Sequence, residues 1–244
     1  MHTSSTPSSP LLMTVLRAAR RPPGQPSPSP SAGFSILEVL VAMIVSSIMV
    51  AVITPPIFMA AAARVQQRRA QQSLMVAQSE IDRVRVTVER GVYTATEIPA
   101  FGADNLSAVP APTAIHGQMK STANCSNPPR YDGTSISATT LLPVDIDGDC
   151  KSDYLVQIFR TNGPTTNANP PQLMGFQVMV RVYANVAQQN LGQLRTERAD
   201  LLMGTGSGGA TRRPLAVLKT SVVRPDASTA LQNYRNLCTL NGCQ

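Results

Sequence analysis

The apolar and polar residues of this chain follow three successive patterns. Residues 34–63 are almost continuously apolar, and Glu38 is the one charged residue among them. From residue 64 onward charged residues return, and apolar residues recur three and four positions apart, which is the spacing of one face of an α-helix. These apolar positions are Leu74, Ala77, Ile81, Val84 and Val88. Beyond residue 92 the pattern changes to short apolar runs separated by glycine-, proline- and asparagine-containing segments.

The first two patterns together predict one long helix from Phe34 to about Arg90. Its apolar part has 30 residues, more than the roughly 20 that cross the hydrocarbon core of a bilayer. Residues 64–91 continue it as an amphipathic helix, and Gly91 can end it because glycine readily adopts the left-handed conformation that closes helices. Pro55 and Pro56 predict a kink or a loosened turn, with a helix end at the outer membrane surface as the alternative.

Residues 92–244 are long enough for one globular domain, and their patterns predict a sheet. The segment 94–129 has several prolines and little periodicity, so it is predicted to be mostly loop. Three later runs are rich in β-branched and aromatic residues, as strands are, at 155–159, 176–183 and 215–223. The expected architecture is therefore α+β, with an antiparallel β-sheet packed against the outer, amphipathic half of the long helix.

Residues 1–33 differ from the rest in composition. They contain Arg17, Arg20 and Arg21, no acidic residue, and a proline- and serine-rich stretch that is not compatible with a packed core. Positive charges that precede an apolar helix stay on the cytoplasmic side, so this leader is predicted to be cytoplasmic and the remainder to be exported. The net charge is +7, and removal of the three leader arginines leaves a scattered +4, so no nucleic-acid partner is expected.

Glu38 is the residue whose chemistry most restricts the function. A carboxylate placed in hydrocarbon costs about 2.5–3.5 kcal/mol, so an acid kept there is expected to have a cationic partner. A cut between Gly33 and Phe34 would create one, because the new α-ammonium group of Phe34 would begin the helix that carries Glu38. The carboxylate would then pair with its own terminus or with that of a neighbouring subunit. An ordinary membrane anchor with an unrelated acid is the alternative.

The run Gly33-Phe34-Ser35-Ile36-Leu37-Glu38 resembles the processing site of type IV pilins and type II secretion pseudopilins. The resemblance implies that a prepilin peptidase cuts after Gly33, that Phe34 is N-methylated, and that the helix assembles with other pilin or pseudopilin subunits at an inner-membrane platform. It assigns assembly roles to Glu38 and to Pro55, which is position 22 counted from Phe34. It also implies the α+β fold and a single span of the inner membrane with a periplasmic C-terminal domain, followed by transfer into an extracytoplasmic pilus or pseudopilus.

The stem, residues 64–91, resembles a narrower group as well. Its segments 64–70, 77–85 and 88–91 look like the stalk of the cyanobacterial pseudopilins associated with hormogonium polysaccharide secretion. With the acidic run at 145–153, the likeness covers about a third of the chain. It implies a minor subunit that supports polysaccharide export and motility, with a polysaccharide as a further partner.

The acidic run at 145–153 is a second candidate site. Aspartates at its first, third, fifth and ninth positions can direct their oxygens to one hard cation, with the backbone carbonyl of Lys151 as a further ligand, and calcium is the expected ion. A helix–loop–helix site is disfavoured because Cys150 and Val156 stand where glycine and a bidentate glutamate are expected. The run instead resembles Asp-rich calcium loops that precede a strand in extracellular β-repeat proteins, and a solvated acidic turn is the alternative. The aspartates are Asp145, Asp147, Asp149 and Asp153.

The four cysteines all follow the apolar helix and are predicted to reach an oxidising compartment. None has zinc-site spacing with a histidine, so disulfides are favoured over a metal site. Of the three possible connectivities we favour Cys125 with Cys150 and Cys238 with Cys243. The second pair closes a small C-terminal ring, and the first ties the proline-rich loop to the acidic run. Separate reduced thiols are the alternative.

Other functions fit parts of the pattern. A catalytic site would have to form around His116, which lies in a loop without a nucleophile motif, so no enzymatic activity is expected. A secretory signal peptide cut near residues 60–62 conflicts with the length of the apolar run and with Glu38. A membrane-tethered periplasmic module that binds a ligand with calcium is the main alternative, and the N-terminus of the mature protein would separate it from an assembled subunit.

Overall fold

The computed structural model describes residues 35–167, 171–199, 209, 211–224 and 230–241. The predicted leader, the cleavage site between Gly33 and Phe34, and Cys243 therefore lie outside the described residues. The chain divides into two compact units, Met1–Val52 and Ile53–Gln244, and each of them is described by itself.

The predicted long helix is present as α1, which spans Ile36–Glu89. Gly91 follows with a φ of 76°, the left-handed conformation that glycine adopts without strain and that closes a helix. Pro55 and Pro56 lie inside α1, so the alternative in which the helix ends at these prolines is wrong.

The second unit contains a five-stranded sheet in which each strand lies beside the next one in sequence. β2 to β5 pair antiparallel as predicted, but β1 pairs parallel to β2, so the sheet is mixed rather than wholly antiparallel. A parallel neighbour requires a long connection, and residues 116–139 provide it. The strands are β1 Ala114–Ile115, β2 Thr140–Val144, β3 Tyr154–Arg160, β4 Gly175–Ala184 and β5 Ala216–Val223.

One face of the sheet packs on the stem part of α1. Val156 of β3 and Val180 of β4 share a fully apolar core with Val84 of the helix, and all three side chains are completely buried. The predicted apolar face of the stem is thereby confirmed, because four of its five positions are buried and the fifth packs at the border of the same core. The buried positions are Ala77, Ile81, Val84 and Val88, and the border position is Leu74.

The opposite face of the sheet is covered by irregular chain. Phe159 and Met179 pack against the segment that carries a short 3-10 helix, Leu106–Ala108, and Tyr183 packs against the segment around a second one, Asn185–Asn190. The segment 94–129 is thus mostly loop, as predicted, and the structure shows that it serves as a covering layer.

Arg181 fastens this covering layer to the sheet. Its side chain is buried, and its Nη1 donates to the carbonyl oxygen of Val109 at 2.9 Å and to Gln157 Oε1 at 3.3 Å. The guanidinium lies 4.9 Å from the ring centroid of Phe159. Because its partners among the described residues are neutral, burial lowers the pKa of the Arg181 guanidinium, and the charge is held by dipoles and the aromatic face.

Three of these elements were not predicted, namely β1, β2 and α2, and β1 lies within the segment that was predicted to be loop. β2 is short and contains Pro143, and a proline within a run argues against a strand when only the sequence is considered. β2 nevertheless pairs with β3 on one side and with β1 on the other. α2 spans Ala230–Asn241 and has a mixed polar composition. It packs on β4 and β5, and a Cβ at Gly175 would lie only 2.9 Å from Leu237 Cδ1, so glycine permits this close approach.

The two edges of the sheet differ in length and in their contacts. β1 contributes only two residues at one edge. At the other edge Thr220 of β5 accepts a hydrogen bond from Arg85 Nη2 of α1 at 3.2 Å.

Candidate functional site

The N-terminal segment begins the helix with a serine cap. The Oγ of Ser35 accepts a hydrogen bond from the amide of Leu37 at 3.3 Å, and its carbonyl oxygen accepts from the amides of Glu38 and Val39. Serine is a preferred N-cap because its hydroxyl satisfies amides that have no partner within the helix. Ser35, the residue after Phe34, is therefore the N-cap, and Ile36 is the first helical residue.

The apolar residues of α1 in the first unit are exposed all around the helix. The large apolar side chains from Ile36 to Val52 are between 43% and 87% exposed. Among the described residues, one helix is long and apolar enough to cross a membrane, and it is α1. The hydroxyl of Ser47 donates to the carbonyl oxygen of Met43 at 2.7 Å, which satisfies this polar group inside the helix as hydrocarbon requires.

Glu38 lies in the first turn of α1, where the helix dipole favours a negative charge. Its side chain lies beside Ala42 on the exposed helix surface. No ion pair joins its carboxylate to another residue in the described part of the chain. The expected partner, the α-ammonium group of Phe34, lies outside that part, so the pairing stays a prediction.

The acidic loop, which we define as residues 145–153, brings three of its four aspartates together. One carboxylate oxygen of each of Asp145, Asp147 and Asp149 lies within 4.8 Å of the others. Asp153 is not in this group, and its Oδ2 accepts a hydrogen bond from the amide of Ile146 at 2.8 Å. The loop is therefore closed on itself, with Asp153 pinning its first residues.

Asp145 is the buried member of the group. Its Oδ2 accepts from the hydroxyl of Ser121 at 2.7 Å and from the amide of Cys150 at 2.9 Å, and its Oδ1 accepts from the amide of Gly148 at 2.7 Å. Burial raises the pKa of the Asp145 carboxyl, but these hydrogen bonds outweigh it and hold the pKa below its usual value. Asp145 is thus an ionised organiser of the loop.

Asp147 has the opposite electrostatic character. A hydrogen bond from the amide of Asp149 lowers the pKa of its carboxyl, but desolvation and the nearby charges of Asp149, Asp153 and Asp145 raise it by more, so the net shift is upward. Asp147 is exposed, and its charge is disfavoured by its neighbours. A cation at this position would relieve that repulsion.

Lys151 is held by Asp149 within the loop. Its amide donates to Asp149 Oδ1 at 2.8 Å, and its Nζ lies 3.7 Å from Asp149 Oδ2. The ammonium group is exposed, so this ion pair is weak. The proposed role of the Lys151 carbonyl as a ligand stays a prediction.

The predicted disulfide between Cys125 and Cys150 is present, with a Cα–Cα distance of 5.6 Å. Both sulfurs are therefore unavailable as thiolate ligands, and a cation in this region would be held by oxygen. Cys150 has a φ of 63°, which is unusual for a residue other than glycine. It occupies the position at which the helix–loop–helix calcium site has glycine, and its backbone has the left-handed conformation that glycine favours. Cys238 is not a free thiol, and its predicted partner Cys243 lies outside the described residues.

A cleft of about 290 Å³ lies between the acidic loop and the stem. Its lining includes the acids Asp147 and Asp153, the cation Arg69 of α1, and the apolar residues Val186 and Leu215. No ion pair of 4 Å or less joins Arg69 to an acid among the described residues. The cleft therefore presents charges of both signs to a ligand.

Sequence reasoning missed the residues that hold the acidic loop in place. Lys120 and Ser121 lie in the long connection between β1 and β2, and neither belongs to a recognisable motif. Lys120 pairs with Glu80 of the stem, and Ser121 binds Asp145. No sequence signal marks these contacts, because each joins residues that are far apart in the chain.

The ring of His116 contacts neighbouring residues through a hydrogen bond and an aromatic pair. Its Nδ1 accepts a hydrogen bond from the amide of Gln118 at 3.2 Å, and its ring packs edge-on against Tyr131 at 5.9 Å between centroids.

Residues 28–54 match the family model of the prokaryotic N-terminal methylation motif. The match covers Gly33, Phe34 and Glu38, together with the capped start and the exposed apolar part of α1. It supports the type IV pilin-like class, whose members are structural subunits, and a membrane anchor that is N-terminal. No curated protein and no solved structure matches the chain. The α+β arrangement, with a long N-terminal helix and a five-stranded mixed sheet, is of the kind found in pilins.

Proposed function

We propose that the protein is a minor pilin or pseudopilin subunit that assembles through α1 into a type IV pilus-like or type II secretion-like filament. The observation that carries the proposal is the coincidence of the methylation-motif match with an apolar helix surface that stays exposed and carries Glu38 in its first turn. Such a surface needs hydrocarbon or other helices around it. In a bilayer it would anchor the subunit, and in a filament it would contact neighbouring α1 helices.

The mechanism begins with proteolysis. A prepilin peptidase cuts after Gly33 and exposes the α-ammonium group of Phe34, which is then N-methylated. The Glu38 carboxylate pairs with the Phe34 ammonium of an adjoining subunit, because an unpaired acid is costly in an apolar environment. This pairing sets the register of one subunit against the next while an inner-membrane platform moves the helix out of the bilayer. Pro55 lies in the part of α1 that would adjust during this transfer.

The wider role follows from the resemblance of the stem to pseudopilins of polysaccharide secretion. The subunit supports polysaccharide export and motility, and its C-terminal domain lies in the periplasm before assembly and outside the cell afterwards.

Mass spectrometry of the mature N-terminus tests the proposal. The expected result is a chain that begins with N-methylated Phe34. The matched control is Gly33→Leu, which adds bulk next to the scissile bond and should leave the leader attached. Functional protein that still begins at Met1 would contradict the proposal, and a first residue near Arg64 would indicate a secreted product instead.

We further propose that the acidic loop binds calcium through Asp145, Asp147 and Asp149. The residues fit an oxygen-ligated cation: three carboxylates converge, the backbone at Cys150 has the required turn, and Asp147 carries a charge that its neighbours disfavour. Of the other two residues in the predicted set, Lys151 would contribute its main-chain carbonyl, whereas Asp153 lies outside the group of three and closes the loop. Millimolar calcium should raise the melting temperature of the full chain in detergent. It should leave Asp147→Asn unshifted, and an unshifted wild-type protein would remove the calcium role.

A membrane-tethered binding module that is not assembled into a filament is the second candidate. The cleft that Arg69 shares with Asp147 and Asp153 favours it, because sugar hydroxyls can donate to carboxylates and accept from a guanidinium at once. Titration of the full chain in detergent with dextran and with alginate tests this role, with Arg69→Ala as the control. Binding by a chain that never enters filaments would favour this candidate over the subunit.

A further inference from the structure

Glu80 is a buried acid in the middle of the stem. Only 1% of its side chain is exposed, so its charge requires partners within the fold. Arg83 supplies one from the same helix, with its Nε 3.0 Å from Glu80 Oε2. Lys120 supplies the other from the connection between β1 and β2, through a short contact of its Nζ with Glu80 Oε1.

The main chain of Lys120 continues this contact into the sheet. Its amide donates to the carbonyl oxygen of Pro143 at 2.9 Å, and its own carbonyl oxygen accepts from the amide of Asp145 at 2.8 Å. Lys120 thereby aligns the first residue of the acidic loop. The ion pair with Glu80 therefore fixes Lys120, whose main chain is hydrogen-bonded to Pro143 in β2 and to Asp145, the first residue of the acidic loop.

The next residue, Ser121, reaches the loop with its side chain. Its hydroxyl donates to Asp145 Oδ2 at 2.7 Å and accepts from the amide of Ala123 at 3.0 Å, so both its hydrogen-bonding roles are used. The same Asp145 oxygen accepts from the amide of Cys150. An unbroken series of contacts thus leads from Glu80 through Lys120 and Ser121 to Asp145.

The other end of the acidic loop is attached to the same helix. Tyr154 directly follows the loop, and its hydroxyl donates to Gln72 Oε1 of α1 at 3.0 Å. Gln72 and Glu80 are eight residues apart on the stem, which corresponds to about 12 Å along the helix axis. The loop is therefore held at its entrance and at its exit by two points of one rigid helix.

We propose that Glu80, Lys120 and Ser121 are positioning residues for the acidic loop, and that through them the loop geometry is coupled to the seating of the stem helix. A change in the loop alters the Asp145 contacts and hence the position of Lys120 against Glu80. Coupling of this kind is reciprocal, so a disturbance at Glu80 must also reach Asp145. The part of the inference that concerns calcium rests on the proposed function, whereas the part that concerns the loop geometry does not.

Hydrogen exchange of the full chain in detergent tests the coupling without any ion. Glu80→Gln keeps the shape of the side chain but removes its charge, and Asp82→Asn is the matched control because Asp82 lies on the same helix and is exposed. The amides of Gly148 and Cys150, which both donate to Asp145, should exchange at least about 5-fold faster in Glu80→Gln and at the wild-type rate in Asp82→Asn.

The same experiment separates positioning from a purely local ion pair. In Glu80→Gln the amides of Ile158 and Val180 in the central strands should keep their wild-type rates. Unchanged rates at Gly148 and Cys150, or an equal rise throughout the sheet, would overturn the inference. Ser121→Ala provides a second route if Glu80→Gln does not fold, since it interrupts the series beyond the stem. It should raise exchange at the same two amides and at the amide of Ala123, which loses its acceptor, but not at Ile158 and Val180.

Calcium titration of the same variants adds a readout at the proposed site. If the wild-type chain binds calcium, Glu80→Gln should weaken the affinity at least about 5-fold although Glu80 is not a ligand, and Asp82→Asn should not. Equal affinities of Glu80→Gln and wild type would overturn the inference and leave the calcium proposal intact. A wild-type chain without calcium binding would end the calcium proposal, and the exchange rates would still decide the coupling.

Discussion

Two glutamates of one helix have opposite surroundings. Glu38 is exposed among apolar side chains and has no ionic partner in the described part of the chain, whereas Glu80 is buried and has two. The same contrast holds for the apolar residues around them, because those near Glu38 are exposed and those near Glu80 form the core against the sheet. The first region thus leaves its groups available to other molecules, and the second satisfies its own.

The strongest test of this contrast is removal of the charge at position 38. Glu38→Gln should leave membrane insertion unchanged, since it makes the helix less polar, but it should abolish incorporation into filaments because the partner ammonium loses its counterion. Fractionation and immunoblotting of sheared filaments measure both. Asp82→Asn is the control, and normal incorporation of Glu38→Gln would remove the proposed role of this acid.

A core substitution tests whether the region around Glu80 is stabilised by the packing of the stem on the sheet. Ile81→Ala should lower the free energy of unfolding by about 2–5 kcal/mol, because Ile81 is almost fully buried between the stem and the sheet. Val86 lies on the same helix and is 51% exposed, so Val86→Ala should change the free energy of unfolding by less than about 0.5 kcal/mol. Denaturant unfolding in detergent, followed by circular dichroism, compares them. Equal effects would mean that the stem is not seated as described.

The disulfide sharpens the comparison at the acidic loop. Loss of the Cys125–Cys150 bond should lower the free energy of unfolding by about 2–4 kcal/mol. Cys150 has a positive φ, so Cys125→Ala with Cys150→Gly should retain about 1 kcal/mol more stability than Cys125→Ala with Cys150→Ser. The same unfolding measurement applies. A less stable glycine variant would show that the turn is not held in the left-handed conformation once the bond is lost.

The smallest expected effect is on the pH dependence of stability, to which Asp145 and Asp147 of the acidic loop contribute in opposite directions. The pKa of Asp145 is lowered by folding, so its stabilisation is present above about pH 4 and is lost as the pH falls through its folded pKa. The pKa of Asp147 is raised, so its ionised form opposes folding at neutral pH.

Melting temperatures between pH 2 and pH 7 in calcium-free buffer separate the two aspartates. In Asp145→Asn the melting temperature should fall less steeply as the pH is lowered. In Asp147→Asn the melting temperature at neutral pH should be slightly higher than in the wild type. Identical profiles for both variants would mean that the two carboxyls do not have the different roles assigned to them.

The helices and strands that could be predicted are those whose evidence is local. The periodic spacing of Ile81, Val84 and Val88 identified the buried face of the stem, and β-branched runs identified β3, β4 and β5, because in each case the pattern lies within the element itself. The apolar run around Glu38 was recognisable for the same reason, whereas its serine cap was seen only in the structure.

The contacts that could not be predicted join distant parts of the chain. Glu80 and Lys120 are 40 residues apart, and Ser121 and Asp145 are 24 apart, so no periodicity relates them. The parallel pairing of β1 likewise depends on where a long loop returns, which only packing decides. The acidic run was visible as a site, but its division into a buried organiser, Asp145, and an exposed, repelled carboxylate, Asp147, required the surrounding amides.

The edges of the sheet have a consequence for polymerisation. The β1 edge offers only two residues and is therefore a poor template for adding the strand of another molecule. The other edge is β5, whose contact with the stem joins the side chains of Thr220 and Arg85. Growth through main-chain pairing, as in amyloid, is therefore disfavoured at the β1 edge. A chain with so short an edge strand can become part of an ordered polymer without extending its sheet at that edge.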